Sequence, residues 1–539
     1  KGEINGKVAK ARVARLLELS NACRERDMKR FNPVQVLIER KQDGYYTGYT
    51  NQYHSCKILS DTPLSGRITI EWDRIEDGLS FDSRTVRPGN IYFCLPGLTN
   101  DGHDFIDSAI KNGAVCIVHS KELLNMAPGA VYIRVEDVND AMNKVARIFY
   151  ARPSDKMKMY GVTGTNGKST ITNIIRDIIN DKTPCGYIGT IAIKYGDIEL
   201  QPNLTTPDAL FLQSKLADMV RCGMKACALE VSSHGLAQHR VDGISFDCAI
   251  FTNLTYDHLD FHGTMENYFE AKTLLFKNLV KEDGVSVINK DDEKYGALKD
   301  CSKARVISYA INSEADYRAI KMSSQGTQFD LVYSGHMYSV KTNLVGNFNV
   351  YNLLAAIAAL NETGYDLERI IEKCAHIAQV EGRMERIDCG QPYNVIVDFA
   401  HTPDGMEKMM QFGRSVTMPG HRLIAVFGSA GKRDVHKRKV FGELADKYCD
   451  YIIVTEDDPR DEDPKEIAEQ IKSGIQNTPH VFVQDRYEAI HQAISSAQEG
   501  DTVLLLGKGD ESFIYRENGR APWVGDNVAA KECIQASLA

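Results

Sequence analysis

Residues Gly161 to Thr170 read GVTGTNGKST. The apolar run KMYGV overlaps their start and the helix-forming stretch ITNIIRDIIN follows. Strand, glycine-rich turn and helix in that order make a phosphate-binding loop. The glycines let backbone N–H groups converge on phosphate oxygens, and the helix start adds positive partial charge. Within it Gly164, Thr165, Asn166, Gly167, Lys168, Ser169 and Thr170 form a shortened Walker A loop; counted from Gly161, five residues instead of four separate the glycines. Lys168 is expected at the β- and γ-phosphates of a nucleotide, and Ser169 or Thr170 at Mg2+. The alternative is a glycine-rich turn with no ligand, and the Gly-Lys-Ser-Thr ending between strand and helix argues against it.

Working outward, the chain divides by texture. Strands such as NIYFCLP and AVCIV alternate with helical stretches before Arg152-Pro153, a boundary because a residue preceding proline disfavours helix. After about residue 380 strands recur at NVIVDFA, RLIAVFG, YIIVT, HVFV and TVLLLG, with helical patterns between them. Such alternation implies an α/β fold with a mostly parallel, doubly wound sheet. Four segments follow: an extension over 1–65, then domains over 66–152, 153–379 and 380–539. The extension carries the basic helical stretch KVAKARVARLLEL and the tyrosine-rich run DGYYTGYTNQYHS, with little certain core.

Composition narrows the class. At 539 residues the chain exceeds one core, and 43% hydrophobic with 25% charged residues is ordinary globular usage. A net charge of −9 argues against a protein that coats nucleic acid. No apolar run approaches the roughly 18 to 20 residues that span a bilayer. The chain opens at Lys1 without a methionine, which suggests a trimmed amino terminus, and shows no signal-peptide core. The 13 cysteines are scattered without a C-x-x-C pair, so neither a disulfide framework nor a zinc site is expected, which fits a cytoplasmic protein.

From about Asp82 onward the sequence resembles the Mur ligase family. The blocks DSRTVRPGNIYFCLPG, GVTGTNGKST, TTPDAL, EVSSHGLAQHRVDG, TNLTYDHLDFHGTMENYFEAKTLLF, GNFNVYN, GRMERI, VDFAHTPD and GSAGKRD occur in order. EVSSHGLAQHRV and FAHTPD point to the MurE type, whose members join a diamino acid to UDP-N-acetylmuramoyl-L-alanyl-D-glutamate. The resemblance implies three domains: a UDP-muramyl-binding domain, a central P-loop ATPase domain and a C-terminal Rossmann-like domain. It implies ATP and two Mg2+ ions, with Glu230, His258, Ser169 and a carbamylated Lys272 as metal-side groups. A carbamate suits that place because its oxygen is a hard-cation ligand where an ammonium would compete with the ion. A solvated helix lysine is the plain alternative for Lys272. The pair His258 and His262 lacks the glutamate of H-E-x-x-H and is not a zincin site; for His262 a hydrogen-bonded structural role is as good a reading as a functional one.

The same resemblance implies adenine contacts from Asn349 and Asn352, with helix capping the alternative for Asn349. It implies linker-side nucleotide contacts from Arg383 and Asp398, with an interdomain ion pair the alternative. Ser83, Arg84, Thr205, Thr206, Ser232, Gln238 and Arg240 match the muramyl-dipeptide contacts. Here Asn203-Leu204-Thr205-Thr206 carries one residue more than the usual N-T-T.

The amino-acid pocket is expected around Arg433, Asp457, Asp458, Arg460, Gly507 and Glu511. The family pattern for meso-diaminopimelate is D-N-P-R with a later G-K-G-H-E. This chain has Asp457-Asp458-Pro459-Arg460, and Asp510 stands for the histidine. Arg460 suits a distal carboxylate, whereas Asp458 and Asp510 suit a distal ammonium without one; the balance leans to L-lysine. The implied chemistry is phosphorylation of the D-glutamyl γ-carboxylate by ATP, then attack of the amine on the acyl phosphate. A monomer in the cytoplasm, serving peptidoglycan synthesis, is expected. Competing readings are another amide ligase, of the D-alanyl-D-alanine-adding or folylpolyglutamate type, or a catalytically idle binder of UDP-muramyl peptides. Intact Lys168, Glu230, His258 and Lys272 argue against the last.

Overall fold

The computed structural model describes the strands within residues 34–70, and residues 78–538 apart from 98–99, 124–125, 128–129 and 324–325. The stretch KVAKARVARLLEL lies outside the described residues. The chain divides into two compact units. One comprises Lys1–Pro153 with Asp208–Ala217 and His239–Gly243; the other comprises the remainder.

In the first unit an antiparallel sheet runs in the order Ser55–Leu59, Tyr45–Thr50, Val34–Gln42, Gly66–Ile70. Part of the tyrosine-rich run is thus a strand, and Gly66–Ile70, placed by sequence in the next domain, pairs with Val34–Gln42. A second sheet is parallel: Leu79–Ser80, Ile91–Phe93, Cys116–His119, Val131–Arg134. Helix Val138–Phe149 covers it. Asp137 caps its start through the amides of Asn139 and Asp140, and its apolar stripe of Val138, Ala141, Met142 and Val145 packs with Leu79, Phe93 and Val118.

In the second unit the phosphate-loop strand Lys158–Thr163 lies inside an eleven-stranded sheet. Its neighbours Ala226–Glu230 and Phe246–Phe251 run parallel to it, and all three strands are almost wholly buried. Continuous apolar strands of this kind need cover on both faces. Helix Lys168–Ile179 supplies Ile171, Ile174, Ile175 and Ile178 to one core, and helix Asn347–Glu362 is apolar all round and buried there from Val350 to Leu360.

The six-stranded C-terminal sheet runs Glu385–Ile387, Asn394–Asp398, Thr502–Leu506, Leu423–Phe427, Tyr451–Val454, His480–Phe482, parallel except for the first strand. Helices Pro403–Val416, His436–Tyr448 and Pro464–Lys472 pack on one face; Arg486–Ser496 and Asp526–Leu538 pack on the other. That is the expected doubly wound layer, whose loops beyond the carboxyl ends of the strands hold ligands. Every cysteine whose side chain is described is free, and no described helix is long and apolar enough to cross a membrane.

Candidate functional site

Backbone conformation shapes the phosphate loop first. Gly164 has φ 147°, where a side chain would collide with the Thr252 hydroxyl, and Gly167, at φ 90°, caps helix Lys168–Ile179. Asn253 anchors the turn, taking the Thr165 amide on its carbonyl (2.8 Å) and the Asn166 amide on its side chain (3.0 Å). Lys168 donates to the carbonyls of Gly164 (3.0 Å) and Thr165 (2.8 Å). Lys272, on helix Met265–Leu274, is buried and also donates to the Gly164 carbonyl (2.9 Å). Burial lowers the pKa of both amines, and Lys168 lowers that of Lys272 further. Neither ammonium has a carboxylate partner among the described residues.

Glu230 closes its strand beside this pair. Its Oε1 accepts from the Tyr187 hydroxyl (2.7 Å) and the Thr190 amide (3.0 Å), and its Oε2 from Ser169 (2.9 Å) and the Thr190 hydroxyl (3.1 Å). The Ser169 and Glu230 oxygens are hard donors, the chemistry Mg2+ takes. His258 takes left-handed backbone at φ 55°; burial pushes its imidazole down to about 3, against the opposing pull of Asp257. A neutral ring is the form that ligates metal. The His262 ring is within hydrogen-bond reach of the Ser233 hydroxyl (3.0 Å), a structural contact. Among the described residues no three His, Cys, Asp or Glu side chains group closely enough to hold a metal.

Thr206 bonds the Glu230 carbonyl (2.8 Å) and receives the Ser232 amide (2.9 Å), while Thr205 pairs with the Thr190 hydroxyl (3.0 Å). Ser232 caps the short helix Ser233–Ala237 through the Gly235 amide, and Gln238 closes it. In the first unit Ser83 is buried, Arg84 forms an exposed ion pair with Asp82 (2.6 Å), and burial lowers the pKa of Arg240, with Asp208 opposing.

Asn349 does not cap its helix: Gly346 holds that position without a side-chain bond, and Asn349 donates back to the Val345 carbonyl (2.8 Å). Asn352 donates to Asn349 (2.9 Å), and its oxygen lies against Gly167. No ion pair joins Arg383 and Asp398 among the described residues. Asp398 takes the amides of Met384 and Ala400 (both 2.8 Å), while Arg383 stacks on Phe399 at 4.2 Å with its Nε buried and unbonded.

Three loops leave the carboxyl ends of C-terminal strands. Arg433, in the first, pairs with Asp260 (3.1 Å). In the second, Asp458 accepts from Lys508 (2.8 Å) and the Tyr515 amide (2.9 Å). Arg460 sits at φ 56° with its guanidinium 5.6 Å over the Tyr515 ring and no carboxylate partner among the described residues. In the third, Lys508 also pairs with Glu511, and Gly507, at φ 110°, lies against Asp457. Burial, then Asp458, raises the pKa of Asp457; burial raises the Glu511 carboxyl to about 7 although Lys508 opposes the rise. Burial would lower the pKa of Lys508, but Asp457, Glu511 and Asp458 together raise it. Asp510 stands apart from that group. Its amide lies against Gly382, its Oδ1 is buried without a partner, and burial raises its pKa, with Arg383 opposing.

The motif reading passed over Lys508, although it lies inside the GKGDES block, and Tyr187 and Thr190, which belong to no block. It also passed over Arg438, a fully buried arginine that bonds Glu462 and Gln470 (both 2.8 Å) and the Ala430 carbonyl (3.0 Å), fastening the first two loops together.

A phosphate loop on a parallel sheet, followed by a doubly wound lobe with charged loops, is the architecture of a nucleotide-binding α/β protein. The Mur ligase family catalytic domain matches residues 77–150, the Mur ligase middle domain 162–360, and the Mur ligase glutamate ligase domain 382–509. The UDP-N-acetylmuramoyl-L-alanyl-D-glutamate--2,6-diaminopimelate ligase 1 of Clostridium acetobutylicum is 43% identical over 467 residues, 85% of this chain and 94% of that protein. The UDP-N-acetylmuramyl-tripeptide synthetase of Borreliella afzelii is 38% identical over 462 residues, 83% of this chain and 91% of that protein. A solved UDP-N-acetylmuramoyl-L-alanyl-D-glutamate--2,6-diaminopimelate ligase is similar with a TM-score of 0.62 at 33% identity, covering 86% of this chain and 95% of that one. The chain belongs to the Mur ligase family, in its MurE type, and has the three-domain α/β architecture of that family. It is an ATP-dependent amide ligase of peptidoglycan synthesis.

Proposed function

We propose that the chain joins L-lysine to the D-glutamyl γ-carboxylate of UDP-N-acetylmuramoyl-L-alanyl-D-glutamate, acting as a cytoplasmic monomer. The observation that carries the amino-acid choice is charge count. Asp457, Asp458 and Glu511 crowd the single ammonium of Lys508; burial first, and Asp458 after it, raises the pKa of Asp457 and of Glu511 against the pull of Lys508. A side-chain ammonium brings the missing positive charge, and Lys508 orders the carboxylates before it arrives.

In the reaction Lys168 screens the transferred phosphoryl group, and the loop amides of Gly167 to Ser169 hold the nucleotide phosphates. Asn349, Asn352, Arg383 and Asp398 face the nucleoside. Mg2+, when bound, neutralises phosphate charge, and Ser169, Glu230, His258 and a carbamate on Lys272 would hold it. Desolvation supports that carbamate, since the neutral amine is the form that adds CO2. Ser83, Arg84, Thr205, Thr206, Ser232, Gln238 and Arg240 bind the UDP-muramyl peptide. The γ-carboxylate oxygen takes the γ-phosphoryl group of ATP and ADP leaves; the neutral amine nitrogen then attacks the acyl carbon, and inorganic phosphate leaves with the proton the nitrogen loses. Arg433 and Arg460 face the amino-acid carboxylate end.

A second reading, meso-diaminopimelate, is favoured by Arg460, whose guanidinium meets no carboxylate among the described residues, and by the names of the relatives at 38–43% identity. Mass spectrometry of the product formed from an equal mixture of the two amino acids tests the choice. Predominant lysine adducts support the proposal; predominant diaminopimelate adducts transfer it to the second reading. Absence of phosphate release with either amino acid would sink both.

A further inference from the structure

The loops after Tyr451–Val454 and Thr502–Leu506 carry Asp457, Asp458, Lys508 and Glu511, yet their strands are not neighbours: Leu423–Phe427 lies between them. Besides Lys508, which bonds Asp458 directly, a second buried side chain spans the gap. Arg486, the first residue of helix Arg486–Ser496, is fully buried. Its Nη1 donates to the Glu456 carbonyl (3.1 Å) and its Nη2 to the Leu506 carbonyl (2.9 Å). Those are the residues immediately before Asp457 and Gly507. The other edge of the guanidinium grips Asp526 in a fork, Nε to Oδ1 at 2.7 Å and Nη2 to Oδ2 at 2.6 Å. Asp526 opens helix Asp526–Leu538, is itself fully buried, and takes the Trp523 indole N–H at 3.3 Å.

We propose that Arg486, oriented by Asp526, is a positioning residue for amino-acid selection, setting the separation of the Asp457-Asp458 and Lys508–Glu511 loops. A planar guanidinium can hold a carboxylate on one edge and two carbonyls in fixed directions; a lysine ammonium cannot meet both carbonyls and both carboxylate oxygens at once. A core ion pair serving the fold alone has no reason to spend two donors on the last carbonyls before each pocket loop. The burial of the pair also makes it costly to break, which keeps the loops in one register.

The inference rests on the amino-acid pocket assigned above, so its test has two arms. Steady-state kinetics of the full chain are measured with each of the three substrates varied in turn, beside a thermal melt. Arg486→Lys is expected to stay folded and to raise the amino-acid KM by roughly tenfold or more, the scale of two misdirected charged hydrogen bonds, with the KM values for ATP and the UDP-muramyl peptide unchanged. Asp526→Asn, which keeps shape and one acceptor, is expected to move the same KM by a smaller factor, and it carries the test if Arg486→Lys fails to fold. Equal loss in all three KM values, or an unchanged amino-acid KM in the folded variants, overturns the positioning role. Glu511→Gln separates the two ideas: if it too leaves the amino-acid KM untouched, the pocket assignment fails, whereas a raised KM there with a silent Arg486→Lys and a silent Asp526→Asn rejects only the inference.

Discussion

The phosphate loop and the C-terminal loops are opposite electrostatic designs. Around Gly164 two amines, Lys168 and Lys272, are directed onto backbone carbonyls, and neither meets a carboxylate among the described residues. Around Lys508 three carboxylates converge on one ammonium. The first pocket groups basic side chains away from water and the second acidic ones, and burial favours the neutral forms of Lys168, Lys272, Asp457 and Glu511 alike. Under the proposed function each polarity suits its ligand: a polyphosphate draws charge onto Lys168 in one, and an ammonium draws it onto the carboxylates in the other.

Removing the positive charge should break that contrast most visibly. Lys168→Ala is expected to lower phosphate release by about 100- to 1,000-fold, the scale of one lost electrostatic donor; near-parental turnover would empty the comparison. Lys272→Ala should lose most of its turnover, on the order of 100-fold, and recover part of it in short carboxylates. A mutant as active as the parent would remove the carbamate.

On the negative side the effects are smaller. Asp458→Asn should weaken lysine use by roughly tenfold and improve meso-diaminopimelate relative to it, as read from the two specificity constants. If diaminopimelate is instead the substrate, Arg460→Ala becomes the damaging change.

Acidity tests the same pocket. Glu511, raised to about 7, is ionised above that pH and protonated below it. The amino-acid KM should therefore rise as pH falls through 7, and Glu511→Gln should flatten the profile. The stability effect has the opposite sign. The folded chain holds the Glu511 proton at pH values where the unfolded carboxyl has lost it, so this group favours folding less as pH climbs through that window.

The smallest effect belongs to Arg433 and Asp260. Their pair is half exposed, so a double-mutant cycle should give a coupling of about 1 kcal/mol or less. A larger value would mean that the contact, and not just the two pockets, carries energy.

Much of this was legible in the sequence. Continuous apolar strands such as YIIVT and TVLLLG announced buried parallel sheet, and the Gly164–Thr170 loop announced its ligand through residue chemistry. What escaped notice has a common physical cause. Arg486 and Asp526 meet only in space, 40 positions apart in the chain, and no local pattern marks either. Tyr187 and Thr190 saturate Glu230 from a neighbouring strand end. Asp510 looked like pocket charge because it adjoins Glu511, yet it lies against Gly382. The sheet formed by Val34–Gln42, Tyr45–Thr50 and their partners was hidden because its tyrosine-rich, polar strands lack a clean apolar alternation.

Arg460 and His258 take left-handed backbone, which disfavours side chains other than glycine and asparagine. Strain of this kind costs on the order of 1 kcal/mol at each position. It marks the places where an engineer seeking a hardier protein would find easy gains, since glycine there would relax the chain. Any such gain would be drawn from residues that the proposed function places at the metal and the amino acid. A screen that rewards heat resistance alone should therefore drift toward well-folded, inactive variants at these positions, and selection in a growing cell should hold them against that drift.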